Sequence, residues 1–461
     1  MVSLRHIIWI AIAVSLKLNA QTLSLTITNP SDIQRQEVVE ADLDTICQKL
    51  GIGHNDSLVV RNALGQEMTY QKSYDGKLLL MVSMQPQGKV VYTISKGKPS
   101  IFKSYVHGRI YPERLDDLTW ENDRGIYRFY GPALQRIGEK SYGTDVWVKN
   151  TPELVVEERY RLHNWGWHQA DSLKKAGKPK EGSDFFMNHS FHLDHGYGMD
   201  VYAVGASLGC GAPALMKDGH LIFPYCFKAC KIVDNGPLRF TAELVYGKTA
   251  DGITEHRLVT LDKGSHFNKL TVWYDGIKTP MSLATGIVLH GEENLILDSD
   301  YVLYADPTDN PKVHQSQIYV GTLFPNGINE HMILKGPKNH AIGMVHPYKG
   351  TPYTYYFGSA WSLYDVSTFA HWKLLADEYL IRIKHPLQIR YGVTLTEILT
   401  KYLGDQMSKV YMIPTSVPRL QVAKPSGWLH HILSELQRVQ TGLHGSTLTS
   451  LGDALARNVA D

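Results

Sequence analysis

The densest run of reactive side chains is Asn188-His189-Ser190-Phe191-His192-Leu193-Asp194-His195-Gly196-Tyr197-Gly198-Met199-Asp200-Val201-Tyr202. Three histidines at intervals of three would share one face of a helix and could hold zinc there. Gly196 and Gly198 follow at once, however, and the run is poor in helix formers. The preferred reading is a loop whose glycines let the backbone approach a ligand while Asp194, His195 and Tyr197 project into a cleft. His189 and His192 read better as partners of buried backbone groups. His195 is then the candidate general base, oriented by Asp194. Tyr197, or His290 at the end of the apolar strand 286–289, is the candidate proton donor. No cofactor is otherwise expected, and a divalent metal is the alternative use of the histidines.

A second cluster is Trp120-Glu121-Asn122-Asp123-Arg124-Gly125-Ile126-Tyr127-Arg128-Phe129-Tyr130-Gly131-Pro132. On a strand, the period of two puts Arg124, Arg128 and Tyr130 on one side and Tyr127 and Phe129 on the other. The cationic, aromatic side would suit an acidic sugar lying across a sheet, with Trp120 and Glu121 as further contacts. The plainer alternative pairs an arginine with Glu121 or Asp123 on a solvated face. Lys228, on the strand after Pro224, and Arg239, after the turn Asn235-Gly236-Pro237, are additional substrate-binding candidates. The chain has no Gly-rich phosphate loop, no Gly-x-Ser-x-Gly elbow and no His-Glu-x-x-His helix. Nucleotide-dependent and standard serine-hydrolase chemistry are thereby set aside.

The elements that must position these groups are mostly strands. Residues 22–100 alternate apolar and polar in short runs such as Leu23-Ser24-Leu25-Thr26-Ile27, broken by Asn29-Pro30, Asp75-Gly76 and Gln87-Gly88. That is the pattern of a small N-terminal β-sandwich. Residues 101–414 continue as aromatic-rich strands at irregular spacing, expected to form a large antiparallel β-supersandwich. Helices are expected at 168–175 and 368–383, both packed against a sheet. Residues 415–461 form an appendage with helical patterns at 428–439 and 447–459.

Residues 1–20 carry Arg5, an apolar stretch from Ile7 to Val14, and Ala20 at the expected cut, the pattern of a secretory signal peptide. The expected location is periplasmic or extracellular, with no membrane insertion, because the apolar run is too short to span a bilayer. Removing residues 1–20 takes away Arg5 and Lys17 from 47 basic residues and leaves 45 against 45 acidic ones. A neutral chain gives no electrostatic case for nucleic acid as a partner. Cys47, Cys210, Cys226 and Cys230 are too few for a disulfide scaffold, although a bridge from Cys210 to Cys226 or Cys230 is open in an oxidising compartment.

Five motifs in fixed order, Trp-Glu-Asn-Asp-Arg at 120–124, Tyr-Gly-Pro-Ala-Leu at 130–134, Asp-His-Gly-x-Gly-Met-Asp at 194–200, Asp-Asn-Gly-Pro-Leu-Arg-Phe at 234–240 and Leu-Asp-Lys-Gly-Ser-His at 261–266, carry a family resemblance. Over roughly residues 22–395 the chain resembles an exported family built on a long-uncharacterised domain, found in polysaccharide-utilisation loci of Gram-negative glycan degraders. The resemblance implies an oligosaccharide or polysaccharide partner containing uronic acid. It also implies an activity of the dehydratase type, in which a terminal uronate loses water to leave an unsaturated sugar. The architecture it implies is that of polysaccharide lyases and aldose mutarotases.

Elimination at C4 of a uronate needs the carboxylate neutralised, the C5 proton removed and the departing oxygen protonated. Arg124, Arg128 or Arg239 are candidates for the first task. Two other functions compete. A glycoside hydrolase would draw paired carboxylates from Glu121, Asp123, Asp194 and Asp200, and a non-catalytic glycan-binding protein would use the aromatic residues as platforms.

Overall fold

The computed structural model describes residues 22–392, apart from 224, 292–293 and 308–315. The expected signal peptide and the expected C-terminal helices lie outside the described residues.

Alternation in the first strands builds a two-sheet sandwich. Leu23, Leu25 and Ile27 of Thr22–Thr28 all face its core, with Leu80, Val82 and Ile94 opposite. One sheet runs Gln388–Tyr391, Thr22–Thr28, Lys89–Lys96, Leu58–Arg61, and the other Arg35–Asp42, Lys77–Met84, Tyr70–Lys72. Gln388–Tyr391 thus returns from the far end of the described chain to pair with the first strand, with Ile27 opposite Ile389. Helix α1, Leu43–Leu50, closes this sandwich. Asp42 caps it by accepting the Thr45 amide at 2.8 Å, and Gly51 ends it in the left-handed region at φ 61°.

The larger part is mostly β and antiparallel, as expected. An eight-stranded sheet runs Phe227–Asn235, Arg239–Tyr246, Thr254–Asp262, Phe267–Asp275, Tyr353–Trp361, Ile318–Leu323, Tyr301–Asp306, Leu295–Leu297. Facing it are a five-stranded sheet, His220–Ile222, Cys210–Lys217, Met281–Leu289, Asn339–Tyr348, Glu330–Leu334, and a four-stranded sheet, Asp145–Trp147, Ile126–Phe129, Asp117–Glu121, His107–Tyr111. A bridge from Thr144 to Gly209 joins the two smaller sheets into one layer. All three feed one core that includes Trp120, Phe129, Phe240, Val259, Ile287 and Phe357.

The helices cover the outer faces. Helix α2 is the single turn Pro132–Arg136. Helix α3 spans Val156–Lys175, a dozen residues more than its expected segment, and forms a hairpin with α4, Pro179–Met187. Gly166 and the few apolar residues among Glu157, Glu158, Arg159 and Arg161 hide the N-terminal half from a reading based on apolar spacing. Gly166 is needed where it is, because a Cβ there would stand 2.7 Å from the His189 side chain. Tyr160, Val156 and Phe191 pack with Ile126 and Trp147 beneath the hairpin. Helix α5, Phe369–Lys384, begins at the cap Thr368 and lays Trp372 against Phe267, ring centroids 4.9 Å apart, on the outside of the eight-stranded sheet.

Candidate functional site

The site is assembled where the strand ends of the two layers meet. Period two places Tyr127 and Phe129 in the core and Arg128 on the opposite face, as the sequence predicts. That face is not open. Helix α3 and the 188–202 loop cover it, and Arg128 is 4% exposed. In the antiparallel register Arg128 sits directly opposite Asp145, and its Nη2 meets Asp145 Oδ2 at 2.5 Å and Asp200 Oδ2 at 3.1 Å. Asp117 Oδ2 lies 3.9 Å from its Nε. The guanidinium also stands over Tyr130 and Trp147, at 5.1 and 5.3 Å from the ring centroids.

One buried cation therefore faces three buried carboxyl groups. Burial is the dominant cause of their shifts, and Arg128 offsets it only in part. Asp117 is pushed up to about 6. Asp145 and Asp200 are also raised, with each charge opposing the other around Asp145. His163, stacked on Phe191 at 3.9 Å, is pushed down to about 3, first by burial and then by His192. Perturbed titratable groups gathered in one place mark this region as the functional candidate.

Beside this cluster His290 follows the strand Met281–Leu289, and Asp306 closes Tyr301–Asp306. His290 Nδ1 is 2.7 Å from Asp306 Oδ2, whose side chain is fully buried. A carboxylate accepts, so Nδ1 donates in this contact. Among the described residues Nε2 is buried without a hydrogen-bond partner, and so is the hydroxyl of Tyr202, whose ring lies 5.9 Å from that of His290. Burial, and after it the charge of Asp306, holds the Tyr202 phenol well above its ordinary pKa, with Asp145 adding to the effect. Tyr202 thus lies within electrostatic reach of both the His290–Asp306 pair and the Arg128 cluster. Nε and Nη1 of Arg128, Oδ2 of Asp117 and Oγ1 of Thr144 are likewise unpartnered among the described residues.

The predicted residues divide sharply. Trp120 is no sugar platform: it is fully buried, stacked with Phe240 and donating from Nε1 to Asn268 at 2.8 Å. Glu121 is sealed against Lys149 at 2.6 Å and accepts the amides of Val155 and Val156, both at 2.8 Å, at the start of α3. Tyr130 belongs to the core. Arg124 bonds Asp365 at 2.6 Å, sharing that carboxylate with His266 at 3.0 Å. Arg239 is clamped by Asp262 at 2.6 and 2.7 Å and by Glu40 at 2.6 Å. Lys228 is exposed on an edge strand. The three arginines are held by three different sets of acids rather than gathered in one hollow.

The 188–202 segment is a loop, and the shared helical face for its histidines does not exist, since α4 ends at Met187. His189, His192 and His195 each engage a separate carbonyl, of Phe185, Asp200 and Ser190, at 2.7, 2.7 and 3.0 Å. Asp194 does not orient His195. Its Oδ1 accepts the amides of Gly196, Tyr197 and Gly198 at 2.8 to 3.1 Å and so fixes the turn. Arg159 pins the same loop through the carbonyls of Gly198, Phe191 and Leu193. His195 and Tyr197 are exposed. The four cysteines are free, so the bridge left open from Cys210 is not formed.

Asp145, Asp306 and Tyr202 were missed. Tyr202 sits in the reactive run itself, and Asp306 is an acid closing a strand of otherwise buried apolar residues, a pattern that signals a paired carboxylate.

Fold and site define an antiparallel β-sandwich protein with a buried polar centre at one end of its layers. Residues 27–389 match the model of a family described as a domain of unknown function, DUF4861, and the chain belongs to that family. Uncharacterized protein P7 of Formosa agariphila is 25% identical over 392 residues, which cover 79% of this chain and 92% of that protein. Among solved structures, a protein in glycosyl hydrolase family 38 from Enterococcus faecalis matches at 10% identity and a TM-score of 0.46, over 83% of this chain and 50% of that one. An alpha-mannosidase from Enterococcus faecalis matches at 10% identity and a TM-score of 0.38, over 80% of this chain and 46% of that one. The chain spans about half the length of these two proteins. No helix among the described residues is long and apolar enough to cross a membrane.

Proposed function

We propose that the chain is a carbohydrate-active enzyme that acts, outside the cytoplasm, on uronic-acid-containing oligosaccharides by β-elimination, as a dehydratase or a lyase. The observation that carries this reading is His290, held at Nδ1 by buried Asp306, with its Nε2 and the hydroxyl of nearby Tyr202 both buried and without a hydrogen-bond partner among the described residues. The motifs at 120–124, 130–134, 194–200, 234–240 and 261–266 support the substrate class. His290 Nε2 removes the C5 proton, and Asp306 stabilises the imidazolium that results. Tyr202, kept protonated by its surroundings, gives its proton to the oxygen leaving C4.

The hydrolase alternative requires two carboxylates free to reach a sugar. Glu121 is sealed against Lys149, Asp123 accepts the Gly264 amide at 2.6 Å, Asp194 fixes its turn and Asp200 holds Arg128. These engagements count against a hydrolase that uses those four residues.

The test is to incubate the protein with uronate-terminated oligosaccharides and follow mass and ultraviolet absorbance together. Loss of one water with new absorbance supports dehydration, and chain scission with absorbance supports a lyase. Products that incorporate water and do not absorb would sink the reading.

A further inference from the structure

A cavity of about 290 Å3 lies between the small sandwich, the outer face of the eight-stranded sheet and the C-terminal end of α5, which contributes Tyr379 and Arg382. Its floor is a polar patch of that sheet, formed by Thr241, Thr260, Lys269 and Thr271, and its walls carry Tyr74 and Tyr356. At roughly 30 Å3 per molecule a polar space of this size holds on the order of ten waters.

The cleft is held open rather than left over. At one end Arg239 ties Glu40 of the small sandwich to Asp262 of the large sheet. Gln71 accepts the amides of Leu238 and Arg239, both at 2.8 Å, and the Tyr74 amide donates to Asp234 at 2.9 Å. At the other end Arg35 donates to the carbonyl of His385 at 2.8 Å, and Arg382 to that of Gln36 at 3.3 Å. Hydrogen bonds between the two parts thus frame a preformed slot, so a ligand entering it need not pay for closing two bodies together. Pockets at the junction of two folded parts are a common place for small-molecule sites.

The lining specifies the ligand class. It carries four basic and four acidic side chains, so it offers no net charge to an anion or a cation. Arg239 is already fully committed to its carboxylates, whereas the Nε of Arg382 is buried and unpartnered among the described residues. Tyr74 keeps 48% of its surface exposed at the wall, and Tyr356 packs edge-on to Tyr379 with centroids 5.4 Å apart. Closely spaced donors and acceptors, charges that cancel and an available aromatic ring suit an uncharged molecule dense in hydroxyl groups.

We propose that this cleft is a second carbohydrate subsite, distinct from the His290 centre, that takes neutral sugar residues of an oligosaccharide. For the ligand class it rests on the reading of the chain as a carbohydrate-active enzyme. The experiment is titration calorimetry of the full chain with cellohexaose, xylohexaose and mannohexaose. The proteins compared are wild type, Tyr74→Ala, Lys269→Glu and His290→Ala. Tyr74 and Lys269 are exposed, so these two variants keep the fold, which an unchanged melting temperature verifies. At least one neutral hexasaccharide is expected to bind wild type and His290→Ala equally, and to bind the two cleft variants about tenfold more weakly. No binding by wild type, or binding indifferent to both cleft variants, overturns the subsite. Binding lost only in His290→Ala also overturns it, while leaving the carbohydrate reading intact. Conversely, cleft binding without turnover of uronates counts against the elimination reading alone.

Discussion

Lys149 and Glu121 form the most fully buried ion pair that the sequence motifs contribute, with side chains 0% and 1% exposed and Nζ 2.6 Å from Oε2. Lys149→Met keeps most of the side-chain volume but strands the Glu121 carboxylate in the interior, where desolvation is no longer offset. It also removes the donor to the Asn122 carbonyl at 2.7 Å. A buried charge that loses its partner costs about 3–5 kcal/mol. The second substitution identifies the cause. In Lys149→Met/Glu121→Gln no charge remains, and Gln keeps an oxygen for the Val155 and Val156 amides, so the cost should fall to about 1–2 kcal/mol. Urea unfolding followed by tryptophan fluorescence gives both values. The exposed pair Lys103–Glu153, with side chains 53% and 58% exposed, is the control, and its disruption should cost under about 1 kcal/mol. The reasoning is refuted if Lys149→Met costs no more than that control, or if the double variant is as unstable as the single one.

Other outcomes follow from the same geometry. Asp117 has its pKa raised from 3.8 to about 6 in the fold, so the folded state holds its proton more tightly than the unfolded chain, and stability is lost as pH rises through that window. Asp117→Asn removes the penalty, and its stability relative to wild type should be unchanged below pH 4 and rise to about 3 kcal/mol above pH 7; a pH-independent difference in urea unfolding would argue against it. Gly198 adopts φ +94°, and a Cβ there would lie 2.0 Å from the Val148 carbonyl oxygen. Gly198→Ala should therefore destabilise the protein by about 3 kcal/mol or more and loosen the 188–202 loop, read as faster amide hydrogen exchange there. Asp194→Ala should loosen the same loop through three lost amide bonds, whereas His195→Ala, which loses a single exposed contact, should not.

What the sequence revealed follows the range of the forces involved. Local alternation is a short-range signal, and it placed Leu23, Leu25 and Ile27 in one core and set Arg128 apart from Tyr127 and Phe129. Helix α5 was legible from the helical spacing of apolar residues over 368–383, and Trp372 and Leu380 of that set lie buried on one face. Pairings between distant residues carry no local signature. Arg128 with Asp200, Arg239 with Glu40, and His290 with Asp306 depend on which strand ends meet, and Gln388–Tyr391 depends on where the chain returns. Arg124, Arg128, Arg239 and Glu121 were expected to contact substrate, but in the fold each is engaged by charged partners within the protein. Of the predicted catalytic side chains, His290 combines a buried acid partner with a ring nitrogen that has no hydrogen-bond partner among the described residues.

The most direct measurement is the initial rate of ultraviolet absorbance gain on a uronate-terminated oligosaccharide, compared across His290→Ala, Tyr202→Phe and His195→Ala. The first two should lower kcat by about 10²- to 10⁴-fold, assayed at a temperature where each variant is still folded because His290→Ala strands the buried Asp306 carboxylate and lowers the melting temperature, and the third should stay within about twofold of wild type, since loss of one exposed contact removes no reacting group. Full turnover by His290→Ala, or a collapse confined to His195→Ala, would contradict the assignment of the base.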